Sequence, residues 1–202
     1  MSRRAEITKQ KIIETAEVIF SEKGLYGSRV DEIAERAGVN KRMIYVYYGS
    51  KERLYINVIE EIYSRLAKWE SALLTRELDC EVAIHTIINH LFEFLYRNPT
   101  FVKIVMWENL NEAKYLEQSN VANIKGASLE LLRNTLKQGI EKGTFRSDIN
   151  LDEMVLSINQ FCFSYFSNIH TFGRIMKVDF GKKEEAIKRA THVADMILKY
   201  LK

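Results

Sequence analysis

The sequence predicts an all-α fold in two parts, an N-terminal domain at residues 1–50 and a larger helical domain at residues 51–202. Proline occurs once and glycine nine times in 202 residues, which favours helices over a turn-rich β fold. Apolar residues make up 47% of the chain, enough for a sizeable core. These apolar residues recur with the spacing of amphipathic helices, and the segments that show this spacing predict about nine helices.

The first predicted helix covers residues 5–23 and is the longest of the three in residues 1–50. Gly24 follows it, at a position where a helix commonly ends in a left-handed cap. Its apolar face consists of Ile12, Ala16, Ile19 and Phe20. We expect the next two helices to pack against this face.

The second and third predicted helices are short, and a glycine-containing turn separates them. Ser28 and Asp31 begin the second helix with a sequence close to a capping box. Asn40 can cap the third helix, in which Ile44 and Tyr48 point inward. Two short helices joined in this way and packed on a longer helix form a helix-turn-helix unit.

The outward side of the third helix is rich in groups that can bind DNA. Its candidate residues are Asn40, Lys41, Arg42, Met43 and Tyr45. In the major groove, Arg and Lys can donate to guanine O6 and N7, and Asn can pair with adenine. Residues 1–51 hold ten Lys and Arg against seven Asp and Glu, and so contain all of the net charge of +3. A solvated helix face would explain the charge alone, but its combination with the helix-turn-helix pattern favours binding to double-stranded DNA.

The starts of the second and fourth predicted helices are candidate phosphate sites, because the N–H groups at a helix N-terminus attract anions. Ser28 and Arg29 lie at the first of these sites, and Lys51 lies at the second. Tyrosine hydroxyls beside the third helix can reach phosphate oxygens as well.

A family pattern runs through residues 8–55. Its residues are Ala16, Phe20, Gly24, Ile33, Ala34, Ala37, Gly38, Val39, Tyr45, Tyr47, Ser50, Lys51 and Glu52. With their spacing, these residues resemble the N-terminal domain of TetR/AcrR-type (tetracycline-repressor-like) transcriptional regulators. The resemblance implies that four residues face DNA bases, namely Asn40, Lys41, Arg42 and Met43. It also implies phosphate contacts from Tyr45, Tyr47 and Lys51, and Ser28 and Arg29 occupy positions where the family often has two threonines that touch the DNA backbone.

The rest of the chain predicts a helical bundle. Its helices are expected at residues 51–75, 80–97, 99–110, 113–142, 151–174 and 181–201. Ser50 caps the first of these, which should end at about Leu74. Asn98 and Pro99 separate the second from the third, and Asn150 with Glu153 forms a cap pair at the start of the fifth.

The segment at residues 151–172 is apolar nearly all round, so it should be buried on more than one side. The core of one chain or an interface between two chains would explain this pattern. The resemblance implies a homodimer in which the last two helices of each subunit form a four-helix bundle. The candidate interface residues are Leu151, Ile158, Cys162, Tyr165, His192, Met196 and Tyr200.

The middle of the chain combines aromatic, methionine and polar side chains, a mixture that suits a small-molecule pocket. The candidate pocket residues are His85, Tyr96, Phe101, Met106, Trp107, Tyr115, Phe161 and Tyr165. An aromatic stripe at helical spacing also suits a hydrophobic core, and both interpretations stay open here.

Several classes of site have no signal in the sequence. The histidines and cysteines show no metal-ligand spacing, and no nucleophile motif or phosphate-binding glycine loop occurs, so we expect no metal, no cofactor and no enzymatic activity. Cys80 and Cys162 are expected to be buried free thiols. No apolar run approaches the ~18–20 residues of a membrane span. The N-terminus lacks a secretory signal, and these features together predict a cytoplasmic protein without a membrane partner.

The resemblance implies a ligand-responsive transcriptional regulator, expected to be a repressor. A homodimer would bind a pseudo-palindromic operator, and a small molecule in the C-terminal domain would release it. The alternative is an all-α protein–protein interaction module, in which the helix-turn-helix is only architecture.

Overall fold

The computed structural model describes residues 3–73 and 78–202, with the backbone alone at residues 125–128. The described residues form ten helices and no strand, which confirms the all-α prediction. The helices are α1 (Arg3–Gly27), α2 (Val30–Ala37), α3 (Lys41–Tyr48), α4 (Lys51–Ser71), α5 (Cys80–Arg97), α6 (Pro99–Leu110), α7 (Val121–Glu141), α8 (Leu151–Ser167), α9 (Ile169–Met176) and α10 (Lys183–Leu201). The end predicted for α4 near Leu74 lies outside the described residues.

The chain divides into two compact units. Unit 1 comprises Met1–Arg65 and Lys103–Ile124, and unit 2 comprises Leu66–Val102 and Lys125–Lys202. Unit 1 contains the first three helices but extends beyond the N-terminal domain predicted at residues 1–50, because the start of α4 and residues 103–124 belong to the same compact body.

The core of unit 1 is formed by the apolar faces of α1 to α4. The residues that are fully buried include Ile12, Ile19, Phe20, Ile33, Ile44, Leu54 and Ile59. Near its end, α1 kinks at Gly24, where φ is 65°. A Cβ atom at this glycine would lie 3.0 Å from the ring of Trp107, so the close approach of α6 to α1 also requires glycine.

Three predicted N-caps are confirmed. The Asn40 side chain accepts a hydrogen bond from the Arg42 N–H at 2.8 Å, and the Ser50 hydroxyl accepts one from the Arg53 N–H at 3.1 Å. The Asn150 side chain accepts from the first N–H groups of α8. Each cap satisfies a donor that the helix itself leaves without a partner.

The predicted cap at Ser28 is wrong. Because α1 continues to Gly27, Ser28 follows a helix end, and its buried hydroxyl donates to the Gly24 carbonyl at 2.6 Å. Arg29 occupies the N-cap position of α2 and makes no side-chain cap.

The helix predicted at residues 113–142 begins only at Val121. Residues 111–120 form turns, in which Glu112 and Ala113 both have φ values of 57°. The turns are held by the buried carboxylate of Glu108, which accepts hydrogen bonds from the N–H groups of Tyr115 at 3.1 Å and Leu116 at 2.8 Å. A side chain from the preceding helix thus replaces the hydrogen bonds that a longer α7 would have made.

The helix predicted at residues 151–174 is divided in two, which raises the number of helices from the expected nine to ten. Asn168 lies between α8 and α9 with ψ at 9°, and its side-chain amide donates to the Ser164 carbonyl at 3.0 Å. The Ser164 carbonyl also accepts the Asn168 backbone N–H at 3.2 Å, so Asn168 closes the end of α8 with two donors, in keeping with the tendency of Asn to end helices.

The core of unit 2 lies where α5 packs against α8 and α10. Phe92 of α5 contacts Tyr165 and Phe166 of α8, with ring centroids 5.8 Å and 5.5 Å apart. Cys80 and Cys162 are buried free thiols, as predicted. Burial raises the pKa of the Cys162 thiol to about 12. None of the helices in residues 3–73 and 78–202 has the length and apolarity needed to cross a membrane.

We predict that Gly24→Ala destabilises the protein more than Gly49→Ala. Both positions have positive φ, but a Cβ at residue 24 meets the Trp107 ring, whereas a Cβ at residue 49 meets nothing within 4 Å. The difference in the free energy of unfolding, measured in urea, should be about 1–3 kcal/mol. Equal losses for the two variants would contradict the contact between α1 and α6.

Candidate functional site

The turn between α2 and α3 fixes how α3 is presented. Gly38 adopts the left-handed conformation, with φ 63° and ψ 39°, and its N–H bonds back to the Ala34 and Glu35 carbonyls of α2. The Val39 N–H also bonds to the Ala34 carbonyl, at 3.0 Å. These hydrogen bonds give partners to the last carbonyl groups of α2, and the left-handed conformation of Gly38 turns the chain sharply into α3.

One side of α3 is buried and the other is open to solvent. Ile44 is completely buried, whereas Lys41, Arg42, Tyr45 and Val46 are exposed. We call these four exposed residues the recognition face. Met43 and Tyr47 lie at its edges and are half-buried.

Val46 belongs to the recognition face, although the sequence analysis did not select it. Its side chain is 64% exposed, the most open of the apolar side chains on α3. It lies one helical turn after Arg42, a spacing that could have identified it. An exposed aliphatic group on such a helix can contact the methyl group of thymine.

Asn40 caps α3 with its side chain. Its side-chain oxygen accepts the Arg42 N–H and keeps one further acceptor lone pair, and its amide NH₂ stays available as a donor. The predicted pairing of Asn40 with adenine stays a prediction, and it would have to be made from this capping position.

The two cations of the recognition face differ in their surroundings. The Lys41 ammonium forms an ion pair with Asp31 of α2 at 2.8 Å, and this hydrogen bond raises the pKa of Lys41. Arg42 has no ion-pair partner among residues 3–73 and 78–202. Arg42 therefore presents its full charge to solvent at the start of α3.

The residues predicted to contact phosphates differ in their exposure to solvent. The Ser28 hydroxyl is buried and donates to α1, so the prediction that this side chain touches DNA is not supported by its position. Its carbonyl accepts a hydrogen bond from the half-buried ammonium of Lys51 at 3.1 Å. The neighbouring Arg29 is exposed. Arg29 and Lys51 thus lie beside one another in the chain fold, next to the turn that precedes α2.

Two tyrosines connect α3 to α1. The Tyr48 hydroxyl donates to the Lys9 carbonyl at 3.1 Å, and burial raises the pKa of this hydroxyl to about 12. The Lys9 ammonium lies 5.6 Å from the centroid of the Tyr47 ring. Tyr45 is 45% exposed and belongs fully to the recognition face.

Comparisons with known proteins identify the family of this chain. Residues 12–58 match the profile of bacterial regulatory proteins of the tetR family, and residues 81–197 match that of the tetracyclin repressor-like C-terminal domain. The chain belongs to the TetR family. Over 202 residues it is 33% identical to the HTH-type transcriptional repressor NicS of Pseudomonas putida, covering 100% of this chain and 95% of that protein. This TetR-family chain is therefore a DNA-binding transcriptional regulator, as the resemblance of residues 8–55 implied.

Solved structures share the fold of this TetR-family protein. The fatty acid degradation regulator FadR from Bacillus halodurans superposes with a TM-score of 0.75 at 20% identity, covering 98% of this chain and 96% of that chain. FadR from Bacillus subtilis, solved in complex with stearoyl-CoA, gives a TM-score of 0.74 at 18% identity, covering 96% and 99%. At these identities the likeness concerns the fold alone.

Three of the predicted pocket residues lie in unit 1. Trp107 packs on Gly24, and Met106 is 38% exposed. Tyr115 is buried, with its hydroxyl 3.4 Å from that of Tyr26 and its ring edge-on to Tyr55 at 5.5 Å. Trp107 and Tyr115 thus take part in the packing of the unit that carries the recognition face, and their contact with a ligand stays a prediction.

The other five predicted pocket residues lie in unit 2. His85 is exposed and contacts Asn89, Tyr96 is 37% exposed, and Phe101 is buried against Phe94. The Tyr165 hydroxyl donates to the Phe180 carbonyl at 2.8 Å. Phe161 lines a shallow groove between α8 and α10. A cavity of about 460 Å³ lies between α5 and α7. None of the eight residues predicted for the pocket is among the described residues that line it.

The predicted dimer residues fall into two groups. Ile158 and Cys162 have no exposed surface within the single chain, so in this conformation they cannot contact a partner and are core residues instead. Met196 and Tyr200 are 36% and 52% exposed and line the groove of about 280 Å³ between α8 and α10. The remaining predicted residues, Leu151, Tyr165 and His192, are partly or fully exposed.

We predict that Asp31→Asn increases the affinity of the protein for duplex DNA of random sequence. The change removes the partner of Lys41 and one negative charge beside the recognition face. At low ionic strength the affinity should rise roughly threefold, and the gain should shrink as salt is added. Fluorescence polarisation with a labelled duplex measures the effect.

Asp148→Asn is the matched control. It removes the same charge from an exposed ion pair with Arg146 in unit 2. An equal rise in DNA affinity for both variants would show that only the net charge of the protein affects binding. Lys41 would then no longer be assigned to the DNA interface.

Proposed function

We propose that this chain is a homodimeric, ligand-responsive transcriptional repressor that inserts α3 into the major groove of a pseudo-palindromic operator. The observation that carries the proposal is the recognition face itself. Lys41, Arg42, Tyr45 and Val46 are exposed together on a short helix whose opposite side is anchored by the buried Ile44. An α-helix presented in this way fits the major groove of B-DNA.

The residues of the site divide into base-reading and phosphate-binding groups. The Arg42 guanidinium, which forms no ion pair with the described residues, suits the two acceptors of guanine, and Val46 offers an apolar contact to thymine. The charged and hydroxyl groups around them are suited to phosphates and fix the position of α3 on the duplex. We assign this positioning role to Arg29, Lys41, Tyr45, Tyr47 and Lys51.

Repression and a small-molecule ligand are supported by the relatives. NicS, similar over the whole chain, is a transcriptional repressor, and one structural neighbour was solved with stearoyl-CoA. A ligand releases the operator only if it binds the non-binding conformation more tightly than the binding one. We therefore expect an effector that interacts differently with two conformations of the dimer.

A dimer would let the protein read two half-sites one helical turn of DNA apart, or a multiple of that distance. The groove between α8 and α10 offers the surface for a second copy. Met196, Tyr200 and Phe161 line it with largely apolar atoms, and the polar side chains of Glu153 and Asn150 line it as well. A stable interface usually combines apolar contacts with polar ones.

We predict that Arg42→Ala weakens operator binding by roughly 1–3 kcal/mol and relaxes the base preference at one position of each half-site. The operator is first selected from a random duplex pool, and both proteins are then compared by polarisation at several salt concentrations. Arg174→Ala, an exposed arginine of α9 in unit 2, is the control and should bind like the unchanged protein.

Two results would contradict the proposal. One is a selection that enriches no sequence. The other is an affinity that does not fall as salt is raised, as expected of an interaction module that does not bind phosphates. Unchanged affinity and specificity in Arg42→Ala would remove this residue from base reading.

We predict that Met196→Glu weakens the dimer, because it places a charge in the apolar groove between α8 and α10. Sedimentation equilibrium should show a dissociation constant at least about tenfold higher, and operator affinity should fall in parallel. Thr191→Glu places the same charge on an exposed part of α10 outside the groove. This control should remain dimeric, and a Met196→Glu protein that also does so would exclude the groove as the interface.

A further inference from the structure

A cavity of about 460 Å³ lies in unit 2 between one face of α5 and one face of α7. Its volume falls within the range of small-molecule sites, ~300–1,000 Å³. From α5, Cys80, Ala83 and Ile87 line it at the spacing of a single helical face. Leu131 and Gln138 of α7 line the opposite wall with the same periodicity.

The two walls differ in chemistry. The α5 side is mainly apolar, and Leu73, two residues after α4, and Leu131 of α7 extend this apolar surface. The opposite side carries Asn134 and Gln138 of α7 and Lys142 directly after it, at intervals of four residues. The cavity thus has an apolar wall on one side and a row of polar side chains on the other, and the last side chain of this row is the Lys142 ammonium.

The charges around the cavity favour an anion. Among the described residues that line it, Lys142 is the one charged side chain, and no ion pair to it is formed within the described part of the chain. Glu141, the acidic residue next to Lys142 in the sequence, is already paired with Lys137 at 3.9 Å. A carboxylate brought to Lys142 would therefore meet a positive charge that has no ion-pair partner among the described residues.

We propose that this cavity binds an amphipathic carboxylate, with the apolar body against α5 and the carboxylate at Lys142. At about 30 Å³ for each water-sized group, the volume holds roughly fifteen such groups, which suits a ligand of the size of decanoate. Asn134 and Gln138 supply amide groups for further polar atoms along the ligand. That this ligand is also the effector rests on the function proposed above.

The first experiment measures binding to the full-length protein without DNA. Decanoate, decan-1-ol and decyltrimethylammonium share a chain length but differ in the charge of the head group, and isothermal titration calorimetry compares them. Decanoate should bind one site per chain about tenfold more tightly than decan-1-ol, because Lys142 forms a charge-assisted hydrogen bond with it. The cationic compound should bind more weakly than both.

Variants locate the site. Lys142→Gln should remove the roughly tenfold preference for decanoate over decan-1-ol. Lys199→Gln, at an exposed lysine of α10 outside the cavity, should keep it. Ala83→Phe fills the cavity and should abolish binding of both compounds, with circular dichroism and thermal unfolding to confirm that the variant is folded. If Ala83→Phe does not fold, the two lysine variants still decide the question.

The outcomes separate the site from its role. No saturable binding, equal affinity for decanoate and decan-1-ol, or an unchanged preference in Lys142→Gln would overturn the site. Operator affinity is then measured with and without decanoate. Binding without any change in operator affinity would overturn the effector role and leave the site intact. Failure to bind an operator at all would instead overturn the function proposed above.

Discussion

The burial of Ile44 is the constraint on which the proposed DNA-binding surface depends. With eight residues, α3 is too short to be stable in water by itself. It exists because Ile44 is completely buried, because Asn40 caps its first turn, and because the Tyr48 hydroxyl bonds to the backbone of α1. The same three contacts fix the rotation of the helix. Since the side chains of a helix have fixed directions relative to one another, burying Ile44 leaves Lys41, Arg42, Tyr45 and Val46 outside.

Residues far along the chain complete the unit that carries this surface. Trp107 packs on the kink of α1 at Gly24, and Glu108 holds the turns that bring Tyr115 beside Tyr26 and Tyr55. Burial, followed by the negative charge of Glu108, raises the pKa of the Tyr55 hydroxyl, which therefore stays protonated. Because Trp107 lies against α1 itself, a displacement of this part of α6 acts directly on the helix that supports α3.

Local signals in the sequence located most elements. The bounds of α5 and α6 and the caps at Asn40, Ser50 and Asn150 were predictable, because each depends on residues within one or two turns. The turns at residues 111–120 were not, because they depend on the buried carboxylate of Glu108 taking the place of helix hydrogen bonds. Helical spacing identified Lys41, Arg42 and Tyr45 of α3 but was not applied to Val46. The ion pair that occupies Lys41 and the cavity between α5 and α7 depend on residues distant in sequence.

The partners of the cations in the proposed DNA interface determine what DNA can gain from each of them. Lys41 is paired with Asp31, and Lys51 donates to the Ser28 carbonyl. An ammonium has three N–H donors, so a phosphate can bind at either lysine while this contact is kept. At Lys41, however, the Asp31 carboxylate already balances part of the charge, so a phosphate gains less there than at a cation without an ion pair. Arg42 forms no ion pair within the described residues and gives up none on binding. Sequence preference should therefore depend mainly on Arg42 and on the apolar contact of Val46, while the paired lysines set position and salt dependence.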